Sequence, residues 1–253
     1  MRQEKSGVKN FVLATLVLVS FASLAVAQTD RSKSVSSVDA SDRIRRGNAH
    51  YAKAEYEAAI AEYRRVSPSA RESYAQSLYN AGVCYYELWR TEDAMRLYHE
   101  AIAARQSRYP AALYALGVAL EDLKRLPEAR DAYRQAIAAS EGKHAAAHYR
   151  LGLLTAYALD YEAAADLFKK AIALSHDRLP ASHNNLGVML ALSGRLEEAN
   201  REFETALSQT HGTLSEAADN LRQCRSLLSQ TAKGEHIALR LSETIAGAVT
   251  EDR

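Results

Sequence analysis

Small and aromatic residues recur along this chain at a fixed spacing of 35 residues. Each repeat has a glycine, an alanine twelve positions later, an aromatic residue four after that, and a small apolar residue three further on. The glycines are Gly47, Gly82, Gly117, Gly152 and Gly187, and the aromatic residues are Tyr63, Tyr98, Tyr133, Phe168 and Phe203. Self-similarity at this period predicts a stacked repeat architecture.

The apolar positions inside each repeat follow the three- and four-residue spacing of amphipathic helices. In the fifth repeat, Leu186 and Leu190 belong to a first helix, and Leu196 and Phe203 belong to a second. Gly194 lies between them and is predicted to end the first helix. Each repeat is therefore predicted to be two antiparallel helices joined by a tight turn.

The glycine in the middle of each first helix requires a structural reason. A glycine at such a position is less favourable than alanine by about 0.5–1 kcal/mol. Its recurrence predicts that two helix backbones approach closely there, with the aromatic residue beside them. Pro110 and Pro180 are predicted to start first helices, because a missing N–H does no harm at that position.

The Gly, Ala, aromatic and Ala pattern over residues 40–211 resembles that of the tetratricopeptide repeat (TPR) family. The resemblance implies an all-α, right-handed superhelical solenoid of five helix-turn-helix repeats over residues 41–211. A single amphipathic segment follows over 212–232, with Arg222 where a sixth glycine would fall, so we expect a C-terminal capping helix there. Residues 233–253 form a C-terminal tail, for which a further short helix stays open.

Residues 1–27 have the pattern of a secretory signal peptide. A basic start precedes an apolar run that begins at Phe11, and Ala25, Val26 and Ala27 form a small-x-small cleavage site. Export to the periplasm or the extracellular space is therefore expected, followed by a flexible Ser-rich linker over 28–40. The alternative is an uncleaved membrane anchor, since the apolar run from Phe11 to Ala27 is at the short limit for spanning.

Composition narrows the function class. The chain has 32 Lys and Arg against 31 Asp and Glu, without the clustered basic surface that nucleic-acid binding requires, so no nucleic-acid partner is expected. No phosphate-binding loop, nucleophile elbow or zinc-protease motif is present in the sequence, so neither enzymatic activity nor a cofactor is expected. Cys84 and Cys224 occupy the same register position four repeats apart, too far for a disulfide, and are expected to be buried.

Histidines give only a weak indication of a metal site. His144 and His148 are four residues apart, and His183 comes one repeat after His148. Zinc sites need three or four ligands with supporting hydrogen bonds, so these residues are expected to pack in the repeats instead.

The resemblance implies that the first helices line a concave groove that holds an extended peptide or a partner helix. Tyr79, Tyr114 and Tyr149 recur three residues before the glycine, and tyrosine offers a large contact area at low entropic cost. The alternative is that these tyrosines only pack between repeats. The predicted partner-binding residues are Tyr79, Asn80, Val83, Tyr86, Glu87, Tyr114, Val118, Glu121, Asp122, Tyr149, Leu153, Tyr157, Asn184, Asn185 and Val188.

Asparagines stand two residues before the glycine position in three of the six registers, at Asn80, Asn185 and Asn220. In the family, such an asparagine can hydrogen-bond the main chain of a ligand. Because half of the registers lack it, a continuous ladder is not expected.

The sequence therefore favours a non-catalytic scaffold or adaptor of the cell envelope that binds a protein or peptide. One alternative is a TPR accessory subunit of an envelope complex that assembles polysaccharide or cell wall. Another is a small-molecule or metal-binding protein, which would need a closed pocket with convergent polar groups. The identity of the partner and the oligomeric state stay open.

We expect the mature protein to begin at Gln28, because the Ala-x-Ala site directs cleavage after Ala27. Mass analysis of the protein expressed from its full coding sequence should show the loss of the segment from Met1 to Ala27. An Ala27→Asp variant, which removes the small residue at the site, should stay uncleaved. Retention of Met1 in a membrane fraction by the unmodified chain would instead indicate the anchor.

Overall fold

The structure, a computed structural model, describes residues 39–229 and 239–243. Within these ranges the chain is built from helices, without any strand, which confirms the predicted all-α repeat fold. The predicted signal peptide and the linker up to residue 38 lie outside the described residues. Residues 39–51 are helical (α1), so the helix already includes the last two positions of the predicted linker.

The chain divides into two compact units, one ending at Arg105 and one starting at Gln106, and each is described by itself. In the first unit, α1 is followed by α2 (Tyr56–Tyr63), a short 3-10 turn (Pro68–Ala70), α3 (Glu72–Glu87) and α4 (Thr91–Ala104). The second unit contains α5 (Pro110–Asp122), α6 (Leu126–Ala139), α7 (Ala145–Tyr157), α8 (Tyr161–Leu174), α9 (Pro180–Leu192), α10 (Leu196–Gln209) and α11 (Ser215–Leu228). As predicted, Pro110 and Pro180 start first helices.

Within the second unit, each second helix packs both on its own first helix and on the next first helix. In the second unit, α6 packs on α5 and α7, α8 on α7 and α9, and α10 on α9 and α11. The helix α11 also contacts α9, so successive first helices lie side by side at this end. This arrangement brings residues from several first helices onto one face.

The recurring spacing between glycine and aromatic residue has a direct steric cause. A Cβ atom added at Gly117 would lie 2.5 Å from Cε1 of Tyr133, and one added at Gly187 would lie 2.6 Å from Cε1 of Phe203. Carbon atoms in contact are normally about 3.5–4.0 Å apart. The sequence predicted a close approach of two helix backbones with the aromatic residue beside them. At Gly117 and Gly187 the nearest atoms belong to the fully buried aromatic ring, and at Gly82 the backbone oxygen of Ala94 also lies 3.3 Å from the added Cβ.

The turn inside each repeat contains a left-handed residue at the same 35-residue interval. The positions are Ala54, Trp89, Lys124, Leu159 and Gly194, with φ between 58° and 78°. Glycine adopts this conformation without steric cost, but the other four residues do not. The packing of the two flanking helices therefore imposes the turn, and only Gly194 was visible as a turn in the sequence.

The end of the second unit differs in part from the prediction. The capping helix forms as α11, in which Cys224 is buried as a free thiol, like Cys84 in the first unit. Residues 239–243 are not helical, so the further short helix does not include them. The rest of the predicted tail lies outside the described residues. No helix of the described ranges is long and apolar enough to cross a bilayer.

A Gly117→Ala substitution should destabilise the protein by about 1–3 kcal/mol, because the new methyl group would overlap the ring of Tyr133. In a Tyr133→Leu background the same substitution should cost much less, since the ring is gone. Denaturant unfolding of the wild type, both single variants and the double variant measures this coupling. Equal costs in the two backgrounds would show that the ring does not set the glycine requirement.

Candidate functional site

Residues 239–243, here called the tail segment, lie on the first helices of the second unit. They are held there by side chains of α7, α9 and α11. These three helices occupy the first-helix position at three consecutive repeat intervals. These side chains, here called the tail site, are Tyr149, Tyr157, Asn184, Asn185, Asp219 and Asn220.

Two asparagine amides pair with the main chain of the tail segment. Asn220 accepts from the Arg240 N–H at 2.7 Å and donates to the Arg240 carbonyl at 2.7 Å. Asn185 accepts from the Ser242 N–H at 2.6 Å and donates to the Ser242 carbonyl at 2.8 Å. Both polar groups of a residue face one side at every second residue in a strand, so the tail segment binds in an extended form.

Further contacts come from the register position one residue before these asparagines, on α7 and α9. The Tyr149 hydroxyl donates to the Ser242 carbonyl. Asn184 donates to the Arg240 carbonyl at 3.0 Å and to the Ser242 hydroxyl at 3.2 Å. Tyr149, Asn184 and Asp219 follow one another at the repeat interval, as do Asn185 and Asn220. The repeat therefore supplies two rows of polar side chains. One row has a residue from each of α7, α9 and α11, and the other has a residue from each of α9 and α11.

Burial makes these hydrogen bonds obligatory. Asn184, Asn185, Asn220 and Tyr149 are all fully buried. A buried amide without partners would cost about 1–3 kcal/mol, and here each of the three amides is paired. Burial also raises the pKa of the Tyr149 phenol, which keeps its hydrogen-bond donor in place.

The ends of the tail segment make polar contacts nearer the solvent. Arg240 lies 3.5 Å from the Asp219 carboxylate, an exposed pair that contributes little energy but fixes the position of a basic residue. The Tyr157 hydroxyl donates to the Glu243 carboxylate. Partial desolvation of this half-exposed side chain, together with the hydrogen bond to Glu243, raises the pKa of Tyr157 to about 12.

Leu239 and Leu241 contribute apolar contacts. Both are partly buried against the core cluster that contains Leu153 and Val188, two of the predicted binding residues. The alternation of Leu239 and Leu241 with polar Arg240 is a period of two, which is the sequence signal of an extended segment. That signal could have predicted the conformation of the tail segment but not its location.

The remaining predicted residues of the second unit lie one repeat earlier, on α5. The Tyr114 ring stacks on His144 with centroids 5.0 Å apart and lies 5.7 Å from the Tyr133 ring. Glu121 accepts a hydrogen bond from the Tyr133 hydroxyl and lies 3.9 Å from Arg150. Val118 is half-buried and Asp122 is exposed on the same helix. Tyr114 and Glu121 therefore contact both their own repeat and the next one.

The first unit carries on α3 the predicted residues Tyr79, Asn80, Val83, Tyr86 and Glu87. The Tyr79 ring lies 6.0 Å from the Tyr98 ring. Asn80 donates to the Asn48 side chain at 3.2 Å. In this unit the register asparagine therefore contacts a neighbouring side chain, whereas Asn185 and Asn220 pair with a main chain.

The histidines make structural contacts. His183 is buried between Glu202, 2.7 Å from Nδ1, and Asp177, 2.9 Å from Nε2. His148 contacts the carbonyl of Gly142 at 3.0 Å through Nε2, and burial lowers its pKa. Among the described residues, no group of three His, Cys, Asp or Glu side chains is suited to hold a metal ion.

The tetratricopeptide repeat family model matches residues 85–144 and 149–212. Solved structures with a similar fold include MamA from Desulfovibrio magneticus RS-1, at 19% identity and a TM-score of 0.56, covering 70% of this chain and 97% of that one. The structure of Pseudomonas aeruginosa pilF has 17% identity and a TM-score of 0.60, covering 79% of this chain and 95% of that one. The structure of YrrB has 20% identity and a TM-score of 0.53, covering 68% of this chain and 87% of that one. A search of curated proteins finds no significant match.

These likenesses show the fold, because the identities are low. The family match shows that residues 85–144 and 149–212 are tetratricopeptide repeats.

Asn220→Ala should weaken the hold on the tail segment, because it removes both hydrogen bonds to Arg240. Hydrogen exchange should show reduced protection of the Arg240 and Ser242 amides, and unfolding should show a loss of about 1–3 kcal/mol. Asn80→Ala, at the same register in the first unit, is the matched control and should leave both amides protected. Unchanged protection in the Asn220 variant would contradict the observed pairing.

Proposed function

We propose that this tetratricopeptide repeat protein is a non-catalytic scaffold or adaptor that binds an extended segment of a partner protein at the tail site. Proteins of this repeat class in general mediate protein–protein interaction. The observation that carries the proposal is the pairing of Asn185 and Asn220 with the main chain of the tail segment.

The chemistry of the tail site suits peptide binding. A carboxamide offers a donor and an acceptor together, so one asparagine satisfies both polar groups of a peptide residue. Main-chain pairing of this kind supplies affinity for any extended segment, while contacts to alternate side chains supply specificity. The structure of YrrB is described as that of a TPR protein with an unusual peptide-binding site, which is consistent with this use of the fold.

Tyrosine contributes to the same site. Tyr149 and Tyr157 donate hydrogen bonds to the occupant, and Leu153 and Val188 belong to the apolar cluster beside it. Tyr114 has the register of Tyr149 one repeat earlier, so a longer partner segment would reach it next along the same row. The N-terminal signal pattern supports the cell envelope or the extracellular space as the location where the partner is met.

The proposal is tested by selecting peptides from a random displayed library on the full chain with Arg240→Pro and Ser242→Pro. These changes remove the two N–H donors that pair with Asn220 and Asn185 and so release the tail segment. Selected peptides should lose at least about tenfold in affinity when Asn185→Ala and Asn220→Ala are added, which corresponds to about 1.4 kcal/mol.

Asn80→Ala in the same background is the control and should leave peptide affinity unchanged, because Asn80 donates to the Asn48 side chain within its own unit. If no selected peptide depends on Asn185 and Asn220, the tail site is not the partner-binding surface.

A further inference from the structure

We propose that the tail segment is a self-ligand, and that a partner segment displaces it by presenting the same five-residue pattern: apolar, basic, apolar, small hydroxyl, acidic. This inference rests on the proposed function, since it concerns the same site. It adds the class of sequence that is bound and the competition that regulates binding.

The tail segment is held as a bound peptide would be. Within the described residues, the main-chain hydrogen bonds of Arg240 and Ser242 all go to side chains of the tail site. The tail segment joins no helix or strand of the fold. Nothing in this main-chain pairing distinguishes the chain's own tail from another extended segment, provided that the paired positions are not proline.

Side-chain contacts define the preferred sequence, and the buried Ser242 position restricts it more than the exposed Arg240 and Glu243 positions do. The basic position faces the Asp219 carboxylate, and the acidic position accepts from the Tyr157 hydroxyl. Ser242 is 2% exposed and its hydroxyl contacts Asn184, so this position admits a small hydroxyl residue and excludes a large one. Leu239 and Leu241 pack on the core cluster and define the two apolar positions.

The tail segment competes because it is tethered. Nine residues separate Ser229 from Leu239. A ligand on a short tether has an effective concentration on the order of millimolar. A site that is open a tenth of the time binds an external peptide about tenfold more weakly than an open site. Release of the tail segment should therefore strengthen external binding by about that factor or more.

The test uses a labelled synthetic peptide with the sequence of residues 237–245, IALRLSETI. It is titrated against the full wild-type chain and against the full chain with Arg240→Pro and Ser242→Pro. We expect binding at least about tenfold tighter to the released chain. A peptide with proline in place of the arginine and serine should not bind, and one with leucine in place of the serine should bind more weakly.

Equal affinity of the peptide for the two chains would overturn the competition. If the library peptides bind the released chain through Asn185 and Asn220 but IALRLSETI does not, the self-ligand inference fails while the proposed function stands. If neither the library peptides nor IALRLSETI binds the released chain, both the proposed function and the self-ligand inference fail.

A second measurement needs no variant. Hydrogen exchange of the wild-type chain should show faster exchange of the Arg240 and Ser242 amides when excess IALRLSETI peptide is added, because the peptide takes their partners. The doubly proline-substituted peptide is the control and should change nothing. Unchanged exchange at a peptide concentration that saturates binding would show that the tail segment is a fixed part of the fold.

Discussion

Contact between one aromatic ring and one glycine fixes the geometry of every repeat. The ring from the second helix lies where the Cβ atom of any other residue would stand on the first helix, as Tyr133 does at Gly117. Because the contact recurs at every repeat interval, the helix pairs repeat in the same orientation within each unit. Equivalent positions on successive first helices are then aligned, which is the condition for a row of binding side chains.

The tail site uses that alignment to place buried polar side chains against one extended segment. Asn184, Asn185 and Asn220 are fully buried, and two of the three amides pair with both polar groups of one tail residue. Buried amides of this kind need hydrogen-bond partners, and the main chain of the tail segment supplies several of them here. Because this pairing is to main-chain groups, another extended segment could take the place of the tail segment, which is how an adaptor of the proposed kind would operate.

The sequence predicted much of the fold because the repeat encodes it locally. The glycine interval, the helical spacing and Pro110 and Pro180 at helix starts all appear in the structure. It also placed Tyr149, Tyr157, Asn184 and Asn185 in one candidate surface, because a helical register shows which residues share a face. Asp219 was not predicted, since it lies in the helix after the last glycine, and Asn220 was noticed there but not selected for the surface.

The sequence by itself determined the helix pairs, their period and the faces that the first helices present, because these depend on residues close together in the chain. Tertiary structure alone decided two things. It showed that the ring of Tyr133 or Phe203 supplies the nearest atoms to the space at the glycine. It also brought the tail segment onto α7, α9 and α11, a contact between residues up to 93 positions apart that no local pattern specifies.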